Sequence, residues 1–305
     1  MRSRIDLIRK KTMRKIFYFA MVAVTAIFAG CANDEDALLP NDSLKDTPIN
    51  VDVLVSGINT RAGYDNTSLP TKFYLSIDQK DTKYDYTNVV MKYDGSKWVA
   101  YESDDENAAT KQLLWEGSKD NVIVTAATFL LPEASTSCSL NVQTDQSTAE
   151  AVKASDHLCY YSNAVTPSTG GISLGLNHIM SKITVKLTLG TEYEASATNP
   201  ITSVTAFGAS TGATYSPGTE TPWSAGSNVS KITLFPSVAY DKNNHTVTYE
   251  AILVPQTIAA NTFGIEIRIG EKTYEWKSAD AFTLTGGTNH TLEMTVGNAS
   301  SANIN

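Results

Sequence analysis

The sequence contains little arginine and little charge. Only six arginines occur in 305 residues, and four of them lie within the first fourteen, so Arg61 and Arg268 are isolated in the rest of the chain. Charged residues make up 18% of the sequence. Residues 31–305 contain 17 basic and 31 acidic side chains, a net charge of −14. Such a surface repels phosphate backbones, so we expect no nucleic acid partner.

Motifs for catalysis and metal binding are missing as well. The sequence has no P-loop or dinucleotide-binding fingerprint, and its four histidines lack the spacing of a zinc site. We therefore expect no enzymatic activity, no catalytic residues, no metal and no cofactor. His178 precedes Ser181 by three residues, which puts their side chains on opposite faces of a strand. We interpret His178 as a structural histidine.

Cysteine occurs only three times, as Cys31, Cys138 and Cys159. The spacing of the last two does not match a metal site. An oxidising envelope would permit a disulfide between Cys138 and Cys159. Two buried free thiols fit the sequence equally well.

Long apolar runs are absent except near the N-terminus. Two basic residues precede an apolar stretch over residues 16–28, and two small residues follow it before Cys31. This pattern predicts a secretory signal over residues 1–30, too short to be a convincing membrane span. Residues 31–48 are acidic and polar, which indicates a tether. Met13 is an alternative start.

The first periodic segment is "INVDVLVSGI". Its apolar residues alternate with polar ones, which predicts a half-buried strand. The buried face would carry Ile49, Val51, Val53 and Val55. The turn-rich stretch "NTRAGYDNTSLP" follows and places Arg61 in a loop, where proteolysis concentrates. Arg268, in contrast, lies within the predicted strand "TFGIEIRIG".

Short alternating segments separated by turn residues continue to the end of the chain. A hairpin is predicted around Asp94-Gly95, and residues 145–156 have room for one or two helical turns. The fold class is therefore all-β, with about seven strands in each of two tandem β-sandwich domains. We place these domains at residues 49–175 and 176–305.

The four tryptophans have two interpretations. They could form a surface that binds carbohydrate, or they could pack in cores and between domains, which is more common. They are Trp98, Trp115, Trp223 and Trp276.

Cys31 lies in a segment that resembles the lipobox of bacterial lipoproteins, because it follows Ala29-Gly30, although Phe28 replaces the usual leucine. The resemblance implies cleavage before Cys31 and thioether lipidation of its sulfur. The acidic cluster "NDED" that follows resembles the surface-export signal of lipoproteins in Bacteroides-type bacteria. An ordinary signal peptide followed by a solvated acidic tether is the alternative.

Several stretches together resemble the fimbrillin family, the subunits of type V pili in Bacteroides-type anaerobes. They are the lipoprotein signal, the early strand that closes in "NTRAG", "LNHIMSKITVKL" with His178, Ser181 and Lys182, "YEAILVPQTI", and the closing "LTGGTNHTLEMTVG". Their order and spacing extend over nearly the whole chain.

The resemblance implies two transthyretin-like Greek-key sandwiches in a protein of the outer membrane, cell surface and fimbrium. It also implies cleavage between Arg61 and Ala62 by an arginine-specific protease, loss of the first strand, and its replacement by a strand of another pilin subunit. Before maturation, the lipid on Cys31 would hold the protein to the outer membrane. A surface ligand is expected, but the sequence does not identify it.

Two alternatives remain at this stage. Arg61 could be an ordinary solvated loop residue, and the chain could be a monomeric surface lipoprotein that binds glycans. One departure from the family also matters. After the expected last strand only "NASSANIN" remains, which is short and polar and makes a poor donor strand, so a tip or accessory subunit is expected. Alternatively, "HTLEMTVG" is itself the donor.

Overall fold

The computed structural model describes residues 43–56, 63–131, 137–193, 196–220, 222–298 and 301–304. The chain from Asp42 onward forms one compact unit. Among these residues, one α-helix, α1 (Ala149–Ser155), and two 3-10 turns, Thr82–Tyr84 and Thr191–Tyr193, interrupt an otherwise β-structured arrangement. The predicted all-β class is confirmed. Within the described residues, no helix combines the length and apolar character needed to cross a bilayer.

A seven-stranded sheet organises the first half of the chain. Its order is β1-β8-β7-β5-β2-β3-β4, and β1 is parallel to β8. Its strands are β1 (Val51–Ser56), β2 (Lys72–Asp78), β3 (Tyr86–Tyr93), β4 (Trp98–Tyr101), β5 (Val122–Ala127), β7 (Leu158–Val165) and β8 (Ile172–His178).

An irregular segment, residues 109–115, connects the two edges of this sheet. On one side, the Lys111 amide donates to the Ala100 carbonyl beside β4, at 2.8 Å. On the other side, the Ile49 amide donates to the Leu113 carbonyl just before β1, at 2.9 Å. Trp115 lies at the end of this segment and is fully buried. The sheet therefore curls around its own core.

Four smaller sheets contain the remaining strands. Their orders are β14-β15-β9-β20-β21, β13-β10-β17-β18, β12-β11-β6 and β16-β19. The longer strands are β9 (Ser181–Leu189), β10 (Ile201–Phe207), β14 (Phe235–Asp241), β15 (Thr246–Leu253), β17 (Gly264–Ile269), β18 (Lys272–Lys277) and β20 (Asn289–Val296). The shorter ones are β6 (Cys138–Asn141), β11 (Gly212–Tyr215), β12 (Trp223–Ala225), β13 (Ile232–Thr233), β16 (Gln256–Ile258), β19 (Phe282–Leu284) and β21 (Ser301–Ile304).

Buried apolar residues form two separate cores. The first core consists of buried side chains of the seven-stranded sheet and its loops, between Leu44 and Leu176 in the sequence. The second core consists of a different set of buried side chains, between Ala127 and Val296. Two cores are compatible with two sandwich domains, and we continue to propose the boundary near residue 175. The segment that contains β6, however, is hydrogen-bonded to β11 of the second half.

Gln146 connects this crossing segment to β15. Its side-chain amide donates to the carbonyl of Ile252 and accepts from the Ile252 amide, both at 2.8 Å, and the residue is fully buried. One side chain thus satisfies both backbone groups of a residue near the end of a buried strand. This matters because unpaired backbone groups are costly in a protein interior.

The strand β9 is buried on both faces at its start. Apolar side chains such as Ile183 and Val185 fill the second core, as the alternation predicts. Lys182 and Thr184, on the other face, are also buried. Lys182 Nζ lies 3.1 Å from Glu250 Oε1, so its charge is compensated by an ion pair with the neighbouring strand.

Local predictions agree with several of the observed elements, but the described part of the second half contains thirteen strands, β9 to β21, where about seven were predicted. The Asp94-Gly95 signal coincides with the β3–β4 hairpin, although its loop has four residues because Tyr93 pairs with Trp98. Gly95 has a φ of +100°, which favours glycine. The alternating stretch from residue 172 to 189 divides at Ile179–Met180 into strands of two different sheets.

Replacing Gln146 by alanine should destabilise the protein by about 2–4 kcal/mol, because the N–H and C=O of Ile252 would stay buried without partners. Urea unfolding of the purified protein measures this change. The control is Gln143→Ala, because Gln143 is exposed and should shift stability by less than about 0.5 kcal/mol. Equal stabilities for the two variants would contradict the role of Gln146.

Candidate functional site

The predicted removable strand is seated in the first core. Ile49, Val51, Val53 and Val55 are all buried, each 6–8% exposed. The intervening residues of β1 point outward, and among them Leu54 is 58% exposed. Strict alternation between buried and exposed positions is what a strand with one face on a core requires. β1 therefore fills the core with its odd-numbered residues alone.

The backbone of β1 has a single strand partner. It pairs with β8 in parallel register, from Val51 beside Ile172 to Ser56 beside Asn177, and it forms the edge of the sheet. At the C-terminal end of β1, the Val55 amide donates to the side-chain oxygen of Asn66 at 2.9 Å. The Asn66 side chain thus accepts a hydrogen bond at the free edge of β1, where the backbone of a neighbouring strand would otherwise accept it.

The predicted processing positions lie outside the described residues. Arg61 and Ala62 belong to residues 57–62, which lie between Ser56, the last residue of β1, and Gly63 and are not among the described residues. We call residues 57–62 the gap. Cys31, the predicted lipidation site, also lies outside the described residues. Both assignments remain predictions. The described residues on either side of the gap, however, are held by different contacts.

A buried carboxylate holds the chain that follows the gap. Asp156 Oδ2 accepts a hydrogen bond from the Tyr64 amide at 3.2 Å, and Asp156 Oδ1 lies 2.7 Å from His178 Nδ1. The two paired side chains are 1% and 2% exposed. Asp156 follows helix α1 directly, and His178 ends β8, the strand that pairs with β1. This Asp156–His178 pair joins the post-gap segment to the body of the protein.

The same helix makes two further contacts with this segment. Lys153 Nζ donates to Ser68 Oγ at 2.6 Å and lies 5.2 Å from the centre of the Tyr64 ring. Burial, together with the negative charge of Asp156, raises the pKa of Tyr64. At the adjacent Asp65, hydrogen bonds from the hydroxyl and amide of Thr67 lower the pKa of the carboxyl group. Residues 64–68 are therefore tied to the body independently of β1.

The two late cysteines are buried free thiols in the structure. Cys138 lies opposite Tyr215 in the β6–β11 ladder, and the Tyr215 hydroxyl interacts with the Cys159 thiol. Burial raises the pKa of Cys138 to about 11 and that of Cys159 to about 12. Both thiols are thus poor nucleophiles at neutral pH. A disulfide between them stays a prediction.

The C-terminal strands are arranged differently from β1. β20 lies between β9 and β21, parallel to the first and antiparallel to the second. Its residues Leu292, Met294 and Val296 are buried in the second core. The segment "NASSANIN" contributes β21, a four-residue edge strand. β20 is therefore a central strand and β21 a peripheral one.

Local sequence patterns did not identify all of these residues. They located β1 and its buried face, and they marked His178 as structural, which agrees with its pairing to Asp156. They did not identify Asp156, Lys153 or Asn66. Tyr64 and Asp156 are 92 positions apart in the sequence, so no local signal could have joined them.

Replacing Asp156 by alanine should loosen the segment after the gap, because His178 Nδ1 and the Tyr64 amide would lose their shared acceptor. We expect a loss of about 2–5 kcal/mol in unfolding free energy and faster proteolysis within residues 63–68. Chemical denaturation and limited digestion with mass spectrometry measure the two effects. Asp52→Ala, on the exposed face of β1, is the matched control. Identical digestion patterns for both variants would contradict the anchoring role.

Comparisons with known proteins agree with this architecture. A crystal structure of a putative cell adhesion protein from Bacteroides ovatus matches with a TM-score of 0.61 at 15% identity, covering 85% of this chain and 96% of that one. A putative cell adhesion protein from Bacteroides uniformis matches with a TM-score of 0.56 at 11% identity, covering 87% and 98%. At these identities the likeness concerns the fold alone.

Sequence comparison gives the family. No curated protein matches the chain at a significant level. The model of the fimbrillin-like family, however, matches residues 43–305, which include every strand described above. The chain belongs to the fimbrillin-like family.

Proposed function

We propose that this chain is a structural and adhesive pilin subunit of a surface fimbria, exported as a lipoprotein through Cys31. It matures by cleavage between Arg61 and Ala62, loses its first strand and assembles by strand exchange. Membership of a fimbrial family implies assembly with other pilin subunits and a place in a cell-surface fimbrium. The proposal assigns no enzymatic activity to the chain.

The observation that carries the proposal is the position of β1. Among the described residues it is an edge strand with one strand partner, and β1 together with Ile49 just before it provides four apolar side chains to a core. Burying each of them contributes roughly 1.5–3 kcal/mol, or about 6–12 kcal/mol together. That sum is similar to the net stability of a typical domain, about 5–15 kcal/mol.

Removal of β1 would therefore leave a groove that favours refilling. The inward side chains of β8, Ile172, Leu174 and Leu176, are 0–3% exposed beside β1 and would contact water without it. The backbone groups of β8 that pair with β1 would also lose their partners. A strand from another subunit restores both the apolar contacts and the ladder, which is the physical basis of strand complementation.

The contacts on either side of residues 57–62 support cleavage there. Upstream, β1 is held by noncovalent packing that another strand could replace. Downstream, Tyr64 and Ser68 are held by Asp156 and Lys153. A cut between Arg61 and Ala62 would separate a replaceable strand from an anchored segment.

Arg61→Ala should prevent loss of β1 and assembly, because an arginine-specific protease would no longer recognise the site. The measurement is intact mass and N-terminal sequencing of protein sheared from the cell surface, with fibres examined by electron microscopy. Wild-type protein should begin at Ala62. The matched control is Arg268→Ala: Arg268 lies within β17, paired to β10 and β18, so its loss should leave maturation unchanged.

Two results would reject the maturation route. The first is an Arg61→Ala protein that still forms fibres or still loses its first strand. The second is wild-type protein that retains a lipidated Cys31 and β1 on every molecule, as expected of an anchored monomer that binds glycans.

We further propose a tip or accessory position, in which the subunit accepts a strand but donates none. Deleting Gly297–Asn305 should then leave incorporation into fibres intact, because only the peripheral β21 is lost. Co-purification of the truncated chain with sheared fibres measures this, and Arg61→Ala is the assembly-negative control. Loss of incorporation by the truncated chain alone would show that the C-terminal segment is a donor strand.

A further inference from the structure

A cavity of about 630 Å³ lies beside β12, β16 and β19, which are strands of the second half of the chain. This volume falls within the range typical of ligand-binding pockets, about 300–1,000 Å³. The edge strand β12 forms one wall, and the two-stranded sheet of β16 and β19 forms another. The removable strand does not contribute to the cavity, so the strand-exchange mechanism leaves its purpose unexplained.

Aromatic rings form the first wall. Trp223, on β12, lies beside Tyr215, on β11, with ring centroids 4.7 Å apart and planes tilted by 45°. Tyr215 is buried, and its hydroxyl interacts with the Cys159 thiol, so packing and this contact hold its ring in place. Trp223 is only partly buried. The wall thus presents a supported aromatic surface to the cavity.

Hydroxyl groups provide the polar contacts. Thr257 Oγ1 and Thr283 Oγ1 lie 3.2 Å apart on the paired strands β16 and β19, and both residues are exposed. His178 also borders the cavity, but its side chain is only 2% exposed and is already paired with Asp156. The two threonine hydroxyls are therefore accessible to a ligand.

The lining contains no formally charged side chain. Of the thirteen described residues around the cavity, none is Lys, Arg, Asp or Glu. The amide of Gln256 is already bonded to the backbone of Ser210 and Val254. An anionic ligand would find no cation here. The remaining groups suit a molecule with one apolar face and a rim of hydroxyls.

We propose that this cavity binds a neutral saccharide, whose C–H face stacks on Trp223 while its hydroxyls bond to Thr257 and Thr283. The inference deepens the proposed adhesive function by giving the ligand class and its location. A pyranose ring is apolar on its faces and polar around its edge, and aromatic residues with a few placed polar groups are the usual lining of such sites.

The test uses full-length protein with β1 in place, so that binding is measured independently of cleavage and assembly. The probes are neutral tetrasaccharides of glucose, galactose, mannose and N-acetylglucosamine, titrated by isothermal calorimetry and saturation-transfer NMR. At least one should bind. Trp223→Ala should weaken its binding by about tenfold or more. Thr283→Val, at an exposed position, should weaken it by about three- to tenfold.

Trp276→Ala is the matched control, because Trp276 is partly buried on β18 and does not line the cavity. It should leave the affinity unchanged. Absence of binding by all four sugars would overturn the proposal, as would binding that survives both Trp223→Ala and Thr283→Val. Wild-type protein that binds sugar but does not assemble into fibres would reject strand exchange alone. Wild-type protein that assembles into fibres but binds none of the four sugars would reject the pocket alone.

Discussion

The packing of β1 against β8 is the constraint on which the first half of the fold depends. β1 and the preceding Ile49 supply four core side chains, and β8 is the only strand paired with β1 among the described residues. A strand inside a sheet has two neighbours, and its removal would break two ladders. Because β1 has one parallel strand partner, its removal would break a single strand ladder. A large share of the stability of this sheet is therefore concentrated in one edge strand.

The Asp156–His178 pair makes the segment after residues 57–62 differ from β1, which precedes them. His178 ends the strand that holds β1, and Asp156 also binds the amide of Tyr64. Burying a carboxylate is unfavourable unless it is paired and hydrogen-bonded, and here both oxygens have partners. The segment that begins at Tyr64 is thus secured by polar contacts that do not pass through β1. Losing β1 removes apolar packing, whereas these contacts can persist.

Alternation of polar and apolar residues was enough to predict the strands that cover one core. β1 and β2 follow it closely, and the Asp94-Gly95 turn marks the hairpin between β3 and β4. Contacts between distant segments were not predictable. Lys182 reads as an outward-facing lysine, yet Glu250 compensates its charge in a buried pair. Likewise, Gln146 satisfies Ile252, 106 positions away. Such pairings depend on how the sheets meet, which no local pattern encodes.

The first strand, β1, and the apolar strand β20 near the C-terminus occupy different positions in their sheets. At the N-terminal end, an apolar strand lies on an edge, where exchange needs only one ladder to break. At the C-terminal end, the apolar strand β20 is central and the edge position belongs to the short β21. Donating β20 would dismantle the five-stranded sheet, and β21 offers only four paired residues. The topology therefore favours a subunit that receives a strand over one that supplies it.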